Sequence, residues 1–176
     1  MNALSHYRAL ATDRMAHHYK VEEQCLTCLE VLSRKADDPS LRQTIALFAT
    51  DSRVLMNTLQ RLLSSLDVPA EAGSTVGING ILQEGFQRLE HEPEAARRDA
   101  IILQTIILLH QYRVGNYYTI LRYFRTLNWN YEAHLLRGLL TDAEATLARF
   151  TELLTAVSGG AASSAQPQPM KEPVYA

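Results

Sequence analysis

The chain has 176 residues, of which 47% are hydrophobic and 20% are charged, and its formal net charge is −2. This is the composition of a globular domain with its own apolar core, so a wholly disordered chain is excluded. The near-neutral charge creates no field that attracts a polyanion, and no basic run marks a membrane-binding surface. Neither nucleic acid nor a membrane is therefore expected as a partner.

Apolar residues recur at helical spacing through four long segments. The pattern predicts helices over residues 5–36, 39–67, 93–127 and 131–157, with Pro39 in the first turn of the second helix and a tight turn at residues 128–130. Residues 68–80 contain Pro69 and three glycines and are predicted to form a crossing loop, followed by a short helix over residues 81–90. Two helical hairpins joined by a crossover predict an all-α protein, a ferritin-like antiparallel four-helix bundle with a short fifth helix in the crossover.

The composition changes sharply after Val157. Residues 158–176 are dominated by Gly, Ala, Ser, Gln and Pro, which bury too little apolar surface to order a chain. The sequence therefore predicts two regions, a bundle over residues 1–157 and a flexible C-terminal tail over residues 158–176. The end of that tail, residues 170–176, could dock on a protein partner, as in an adaptor or cargo protein.

The longest uncharged run within the predicted bundle, residues 100–112, lies in the third long helix. It is shorter than the roughly 20 apolar residues that cross a membrane. A helix that is apolar around its whole circumference must be covered on several sides, which predicts a homodimer through this face. The first thirty residues mix His, Arg, Lys and Glu into every turn and contain no apolar signal core, so we expect a cytoplasmic protein.

Two cysteines, Cys25 and Cys28, lie deep in the first predicted helix. Their spacing can form a redox pair or half of a zinc site, but no second thiol pair accompanies them, and small buried side chains are the preferred interpretation. Three histidines near the start of the same helix, His6, His17 and His18, could form a surface metal site. Their spacing is not helical for all three, so solvated side chains are predicted.

A polar layer interrupts the apolar seams of two helices. The seam of the third long helix consists, at alternating spacings of four and three, of Asp99, Leu103, Ile106, His110, Arg113, Tyr117, Ile120, Phe124 and Leu127. The seam of the first consists of Met15, His18, Glu22, Cys25, Leu29, Leu32 and Ala36. A buried charge without a partner costs several kcal/mol, so these polar groups must pair with one another or hold an ion.

Five stretches of the chain, taken in order, resemble the YciE/YciF ferritin-like family of bacterial stress proteins. They are Tyr19-Lys20-Val21-Glu22-Glu23-Gln24, Pro39-Ser40-Leu41-Arg42, Gly80-Ile81-Leu82-Gln83-Glu84-Gly85, residues 110–121, and Leu139-Leu140-Thr141-Asp142-Ala143-Glu144. The resemblance implies a bundle in which carboxylates and histidines from all four helices hold two metal ions, and an association with stress.

This sequence departs from that pattern at most of the implied ligand positions. Glu22 is kept on the first helix, but the second helix has Phe48 and Asp51 where Glu and His are expected. The third helix has His110 and Arg113 at acidic positions, and the fourth has Thr141 and Asp142.

Three interpretations of the polar layer stay open. Glu22, Asp51, His110 and Asp142, with His18 one turn before Glu22, could hold a metal such as zinc, iron or manganese. Alternatively Arg113, which cannot ligate a metal, takes the place of the metal charge and bridges Glu22 with Asp142 or Asp51. In the third interpretation Arg113 extends to the surface and His110 makes one hydrogen bond in an ordinary core.

The function hypotheses follow from these interpretations. The leading one is a non-enzymatic, stress-associated structural or binding protein with a degenerate, metal-free site and no cofactor. The competing hypothesis is a di-metal carboxylate protein that handles iron or reactive oxygen. The third is the adaptor or cargo protein that docks through its tail.

Overall fold

The protein is described by a computed structural model covering residues 3–70 and 75–164. These residues form five helices: α1 (Ala3–Lys35), α2 (Pro39–Ser65), α3 (Val76–His91), α4 (Ala95–Thr126) and α5 (Asn130–Ser164). There is no strand within these two ranges. The predicted all-α class, with two long hairpins and a crossover helix between them, is confirmed.

Both hairpin turns are held by local hydrogen bonds that the sequence makes possible. Before α2, the Asp38 side chain accepts a hydrogen bond from the Leu41 backbone N–H at 2.7 Å, and Pro39 occupies the first turn. After α4, Asn128 adopts a positive φ of 57°, a conformation that Asn tolerates better than most residues. The N–H of Trp129 then donates to the Phe124 carbonyl at 2.9 Å, which closes the helix end.

A buried carboxylate ties the first hairpin to the second. Asp99 on α4 is 5% exposed. Its two oxygens accept the backbone N–H groups of Asp37 at 2.8 Å and of Asp38 at 2.9 Å. The Asp99 side chain thereby satisfies two partly buried backbone donors in the α1–α2 turn.

The crossover helix is longer than the sequence predicts. α3 begins at Val76, so the prediction of a loop through residue 80 was wrong for its last residues. Gly77 permits close packing instead of a turn: a Cβ there would lie 2.9 Å from the Tyr112 hydroxyl oxygen. Gly85 lies still closer to α4, since a Cβ there would collide with the Thr105 side chain. Packing against α4 offsets the cost of glycine in a helix, about 1 kcal/mol per residue.

The last helix also continues beyond its predicted end. α5 runs to Ser164, whereas the sequence predicts its end at Val157. Adding residues to an existing helix is far easier than starting one, so Ala and Ser can extend it past Gly159 and Gly160. The rest of the predicted tail, residues 165–176, lies outside the described residues.

The bundle interior contains two apolar clusters with the polar layer between them. One lies at the α1 N-terminus and α4 C-terminus and includes Met15, Leu59, Leu62, Tyr117, Phe124 and Leu136. The other lies at the opposite end and includes Leu29, Ile45, Ile102, Leu103, Ile106 and Phe150. The antiparallel arrangement of α1 and α4 brings Glu22 and Arg113 to the same level between the two clusters.

Most of the apolar run in α4 is covered by helices of the same chain, although Leu108 is 43% exposed. α1, α3 and α5 all pack against α4, and a third cluster joins Val21, Ile78, Leu82 and Leu109 across α1, α3 and α4. The crossover helix thus covers the side from which a homodimer is predicted, and the dimer stays a prediction. Across residues 3–70 and 75–164, none of the helices has the length and hydrophobicity needed to span a membrane.

Candidate functional site

An ion pair between α1 and α4 occupies the centre of the bundle. Arg113 and Glu22 are 3% and 1% exposed. Nε of Arg113 donates to Oε1 of Glu22 at 2.9 Å, and Nη2 lies 2.8 Å from Oε2. The guanidinium therefore meets the carboxylate side-on, although the second contact is poorly aligned for a hydrogen bond. Each charge compensates the other, and both side chains are almost completely buried.

The third nitrogen of the guanidinium engages the same helix. Nη1 of Arg113 lies 2.8 Å from Nδ1 of His110, one turn earlier on α4. Because a guanidinium can only donate, Nδ1 at 2.8 Å is a better acceptor than Nε2 at 3.5 Å, and we assign the imidazole proton to Nε2 on this basis. A histidine that accepts this hydrogen bond is in its neutral form.

Two further side chains surround Glu22. The Tyr117 hydroxyl donates to Oε1 at 3.0 Å. Nε2 of His18, one turn before Glu22, lies 3.3 Å from the same oxygen but makes no hydrogen bond, and the His18 ring packs edge-on against Tyr117 with centroids 4.1 Å apart. The carboxylate is thus enclosed by a cation, a phenol and an imidazole.

Burial and the central ion pair set the protonation of these groups. Burial lowers the pKa of Arg113, but the Glu22 carboxylate more than offsets this and holds that pKa above its ordinary value. Burial lowers the pKa of His18 to about 4, although Glu22 opposes the shift. Burial and the neighbouring Arg113 charge also lower the pKa of His110. Near neutral pH Arg113 is therefore charged and both imidazoles are neutral.

A cavity of about 530 Å³ opens from this site between α2 and α5. His110 and Arg113 of α4 line it on the inside, and Phe48 and Asp51 of α2 face Asp142 of α5 around it. α2 and α5 are not among the closely packed helix pairs of the described chain, which leaves room for the opening. The Phe48 ring contacts the Phe150 ring at a centroid distance of 4.6 Å.

The structure divides the four predicted ligand residues into two pairs. Glu22 and His110 are buried, and both contact Arg113. Asp51 and Asp142 are exposed and line the cavity. The predicted bridge from Arg113 to one of these aspartates is replaced by the contact with His110.

Other predictions at this site have mixed outcomes. The prediction that His18 is solvated was wrong, because its ring is fully buried beside Tyr117. The role of the Tyr117 hydroxyl was missed, although its place one turn after Arg113 in the seam was a usable signal. Cys25 and Cys28 are buried free thiols, as expected, and burial raises the pKa of Cys28 to about 11, so neither a redox nor a metal role is favoured.

Comparison with protein-family models gives one match that spans most of the chain. Residues 8–163 match the family described as "Domain of unknown function (DUF892)". The chain belongs to this family. No curated protein matches the chain.

Two solved structures share the architecture of this family member. The E. coli stress protein YciF is 17% identical, with a TM-score of 0.80 over 90% of this chain and 99% of its own. YcfI from Rhodopseudomonas palustris, a candidate structural protein, is 16% identical, with a TM-score of 0.78 over 82% of this chain and 92% of its own. At these identities the comparison shows a shared fold, and that fold is ferritin-like, as the sequence predicts.

Proposed function

We propose that this protein is a non-enzymatic, stress-associated binding or structural protein, in which an ion pair takes the place of a metal centre. One observation supports the proposal above all. The buried Arg113 guanidinium is paired with Glu22 and His110 at the middle of the bundle. The association with stress rests on the resemblance to the YciE/YciF family and on the description of YciF as a stress protein. We extend a cytoplasmic location to this chain on the sequence argument.

The residues present do not fit the metal that a ferritin-like bundle implies. Arg113 stays protonated and would repel a cation at the level of Glu22. Glu22 already receives Arg113 and Tyr117, and Nδ1 of His110 accepts from Arg113. Within the described ranges, no three His, Cys, Asp or Glu side chains are grouped so that they could hold a metal ion. Of the four predicted ligand residues, Glu22 and His110 contact Arg113, and Asp51 and Asp142 are exposed.

The alternative, a di-metal protein that handles iron or reactive oxygen, is tested by elemental analysis. The protein would be purified without chelators from cells supplied with iron, manganese and zinc. We expect less than stoichiometric metal, and no difference between wild type and Glu22→Gln. Stoichiometric iron or manganese that is lost in Glu22→Ala would overturn the proposal.

A second measurement detects the proposed ion pair directly. The Nε–H of a buried, paired arginine exchanges slowly with water and gives a distinct nitrogen NMR signal. We expect such a signal for Arg113, and we expect it to vanish or shift in Glu22→Gln. The exposed pair Arg97–Glu94 provides the control, because Glu94→Gln should leave the Arg113 signal unchanged.

A further inference from the structure

We propose that the cavity between α2 and α5 binds a small organic amine, with its ammonium group at Asp51 and Asp142 and a hydrogen-bond acceptor at His110. This inference rests on the proposed function, because a centre held by an ion pair leaves the adjoining cavity open to another ligand. It adds the chemical class of that ligand.

The cavity has the size and lining of a small-molecule site. Its volume of about 530 Å³ lies within the range of about 300–1,000 Å³ that is typical of ligand pockets. Apolar side chains of α2 and α5, among them Phe48, Leu55 and Leu139, form much of its lining. An occupant therefore needs an apolar body of moderate size.

The charges around the cavity favour a cation. Arg113 lines the cavity, but its charge is compensated by Glu22 behind it. Asp51 and Asp142 contribute two carboxylates from opposite helices, and neither forms an ion pair within the described residues. The nearby Arg149 lies over the Phe48 ring, with 5.4 Å between its guanidinium carbon and the ring centroid. The uncompensated charge of the lining is thus negative.

A second and independent observation concerns His110, at the inner end of the cavity. His110 is 2% exposed and lines the cavity. Its Nδ1 accepts from Arg113, so Nε2 carries a proton that requires an acceptor. With this assignment, Nε2 lies 3.5 Å from Nη1 of Arg113, which is itself a donor. An acceptor atom of a ligand beside His110 would therefore satisfy the Nε2 donor.

Together these features define an amphipathic amine with an apolar body and an oxygen or nitrogen acceptor at the end away from the ammonium. Tyramine has this chemistry. 2-Phenylethylamine lacks the acceptor, and 4-hydroxyphenylacetate replaces the ammonium with a carboxylate. This matched series separates the contribution of the carboxylates from that of His110.

The test is calorimetric titration of the full chain with these three compounds at low ionic strength. We expect tyramine to bind most tightly, phenylethylamine more weakly and the carboxylate weakest of all. Asp51→Asn and Asp142→Asn should each weaken tyramine binding by about fivefold, the upper end for an exposed charge pair. Glu152→Gln, an exposed acid on α5 that does not line the cavity, should have no effect.

Added salt should weaken the binding of both amines, because the carboxylates are exposed. Ala145→Trp, at an exposed position that lines the cavity, should obstruct the ligand without disturbing the core. The inference is overturned if tyramine fails to bind, if the carboxylate binds as well as the amines, or if both Asn variants leave affinity unchanged. Metal analysis of the same sample separates the two proposals. If the protein is metal-free and binds no amine, only the proposed ligand is refuted. If it contains stoichiometric metal, the proposed function is refuted.

Discussion

Replacing Arg113 with methionine is the most direct perturbation of the central ion pair. The substitution keeps an unbranched apolar chain but leaves Glu22, which is 1% exposed, without its counter-charge. Breaking a buried pair by removing one partner costs roughly 3–5 kcal/mol. That is a large part of the 5–15 kcal/mol that stabilises a typical domain, so the effect should be readily measured.

The assay is urea unfolding followed by circular dichroism, with Glu22→Leu and the double variant completing a double-mutant cycle. Since the double variant removes both charges, we expect it to lose less stability than either single variant, with a coupling energy of about 3 kcal/mol. Arg113→Lys, which keeps the charge without the planar fork, should lie between wild type and Arg113→Met. The control is Arg53→Met at the exposed Arg53–Glu30 pair, where we expect a loss below about 1 kcal/mol. Additive single effects, or an Arg113→Met loss as small as that of the control, would refute the reasoning.

Three further predictions concern the groups around this centre and the packing of the crossover. Because burial lowers the pKa of His18 from 6.5 to about 4, the unfolded chain takes up this proton first as the pH falls, and stability is lost between pH 6.5 and 4. His18→Phe should reduce that loss of stability by about 3 kcal/mol, whereas the exposed control His134→Gln should leave it unchanged. If the free energy of unfolding depends on pH equally in wild type and His18→Phe, the prediction is contradicted. Asp99→Ala leaves two backbone donors of the α1–α2 turn without acceptors and should lower the free energy of unfolding by roughly 2–4 kcal/mol, and a loss under about 1 kcal/mol would show that water replaces the carboxylate. Gly85→Ala should destabilise by about 1–3 kcal/mol, whereas Gly80→Ala, with open space around it, should stabilise by about 0.5–1 kcal/mol; thermal unfolding that gives both the same sign would contradict the described α3–α4 packing.

The helical periodicity was sufficient to predict the bundle, because each long helix buries one continuous stripe and its spacing is written directly in the chain. Local signals also gave the helix boundary at Asp38–Pro39 and the turn at Asn128. The start of α3 was misplaced because a glycine that permits close packing and a glycine that ends a helix look alike in a sequence. Gly77 is of the first kind, and only its contact with Tyr112 reveals this.

The residues of the site were predicted in part, because they follow the same helical spacing. His110, Arg113 and Glu22 could be found because polar residues in an apolar seam are conspicuous. Their pairing could not be read from the sequence, since Arg113 could have reached Asp51 or Asp142 across the bundle. The rotation of each helix about its axis and its position along the bundle decide which carboxylate Arg113 contacts. The structure places Glu22 at that level and leaves both aspartates at the cavity.

By itself, the sequence determined that this protein is a helical bundle with a charged layer at mid-height, because hydrophobic spacing and the cost of burying unpaired charge are properties of single segments. Only the tertiary structure decided that Arg113 meets Glu22, that His18 is enclosed and that a cavity adjoins the ion pair. These features depend on which faces of separate helices meet, and that is set by the packing of the whole core rather than by any one stretch of chain.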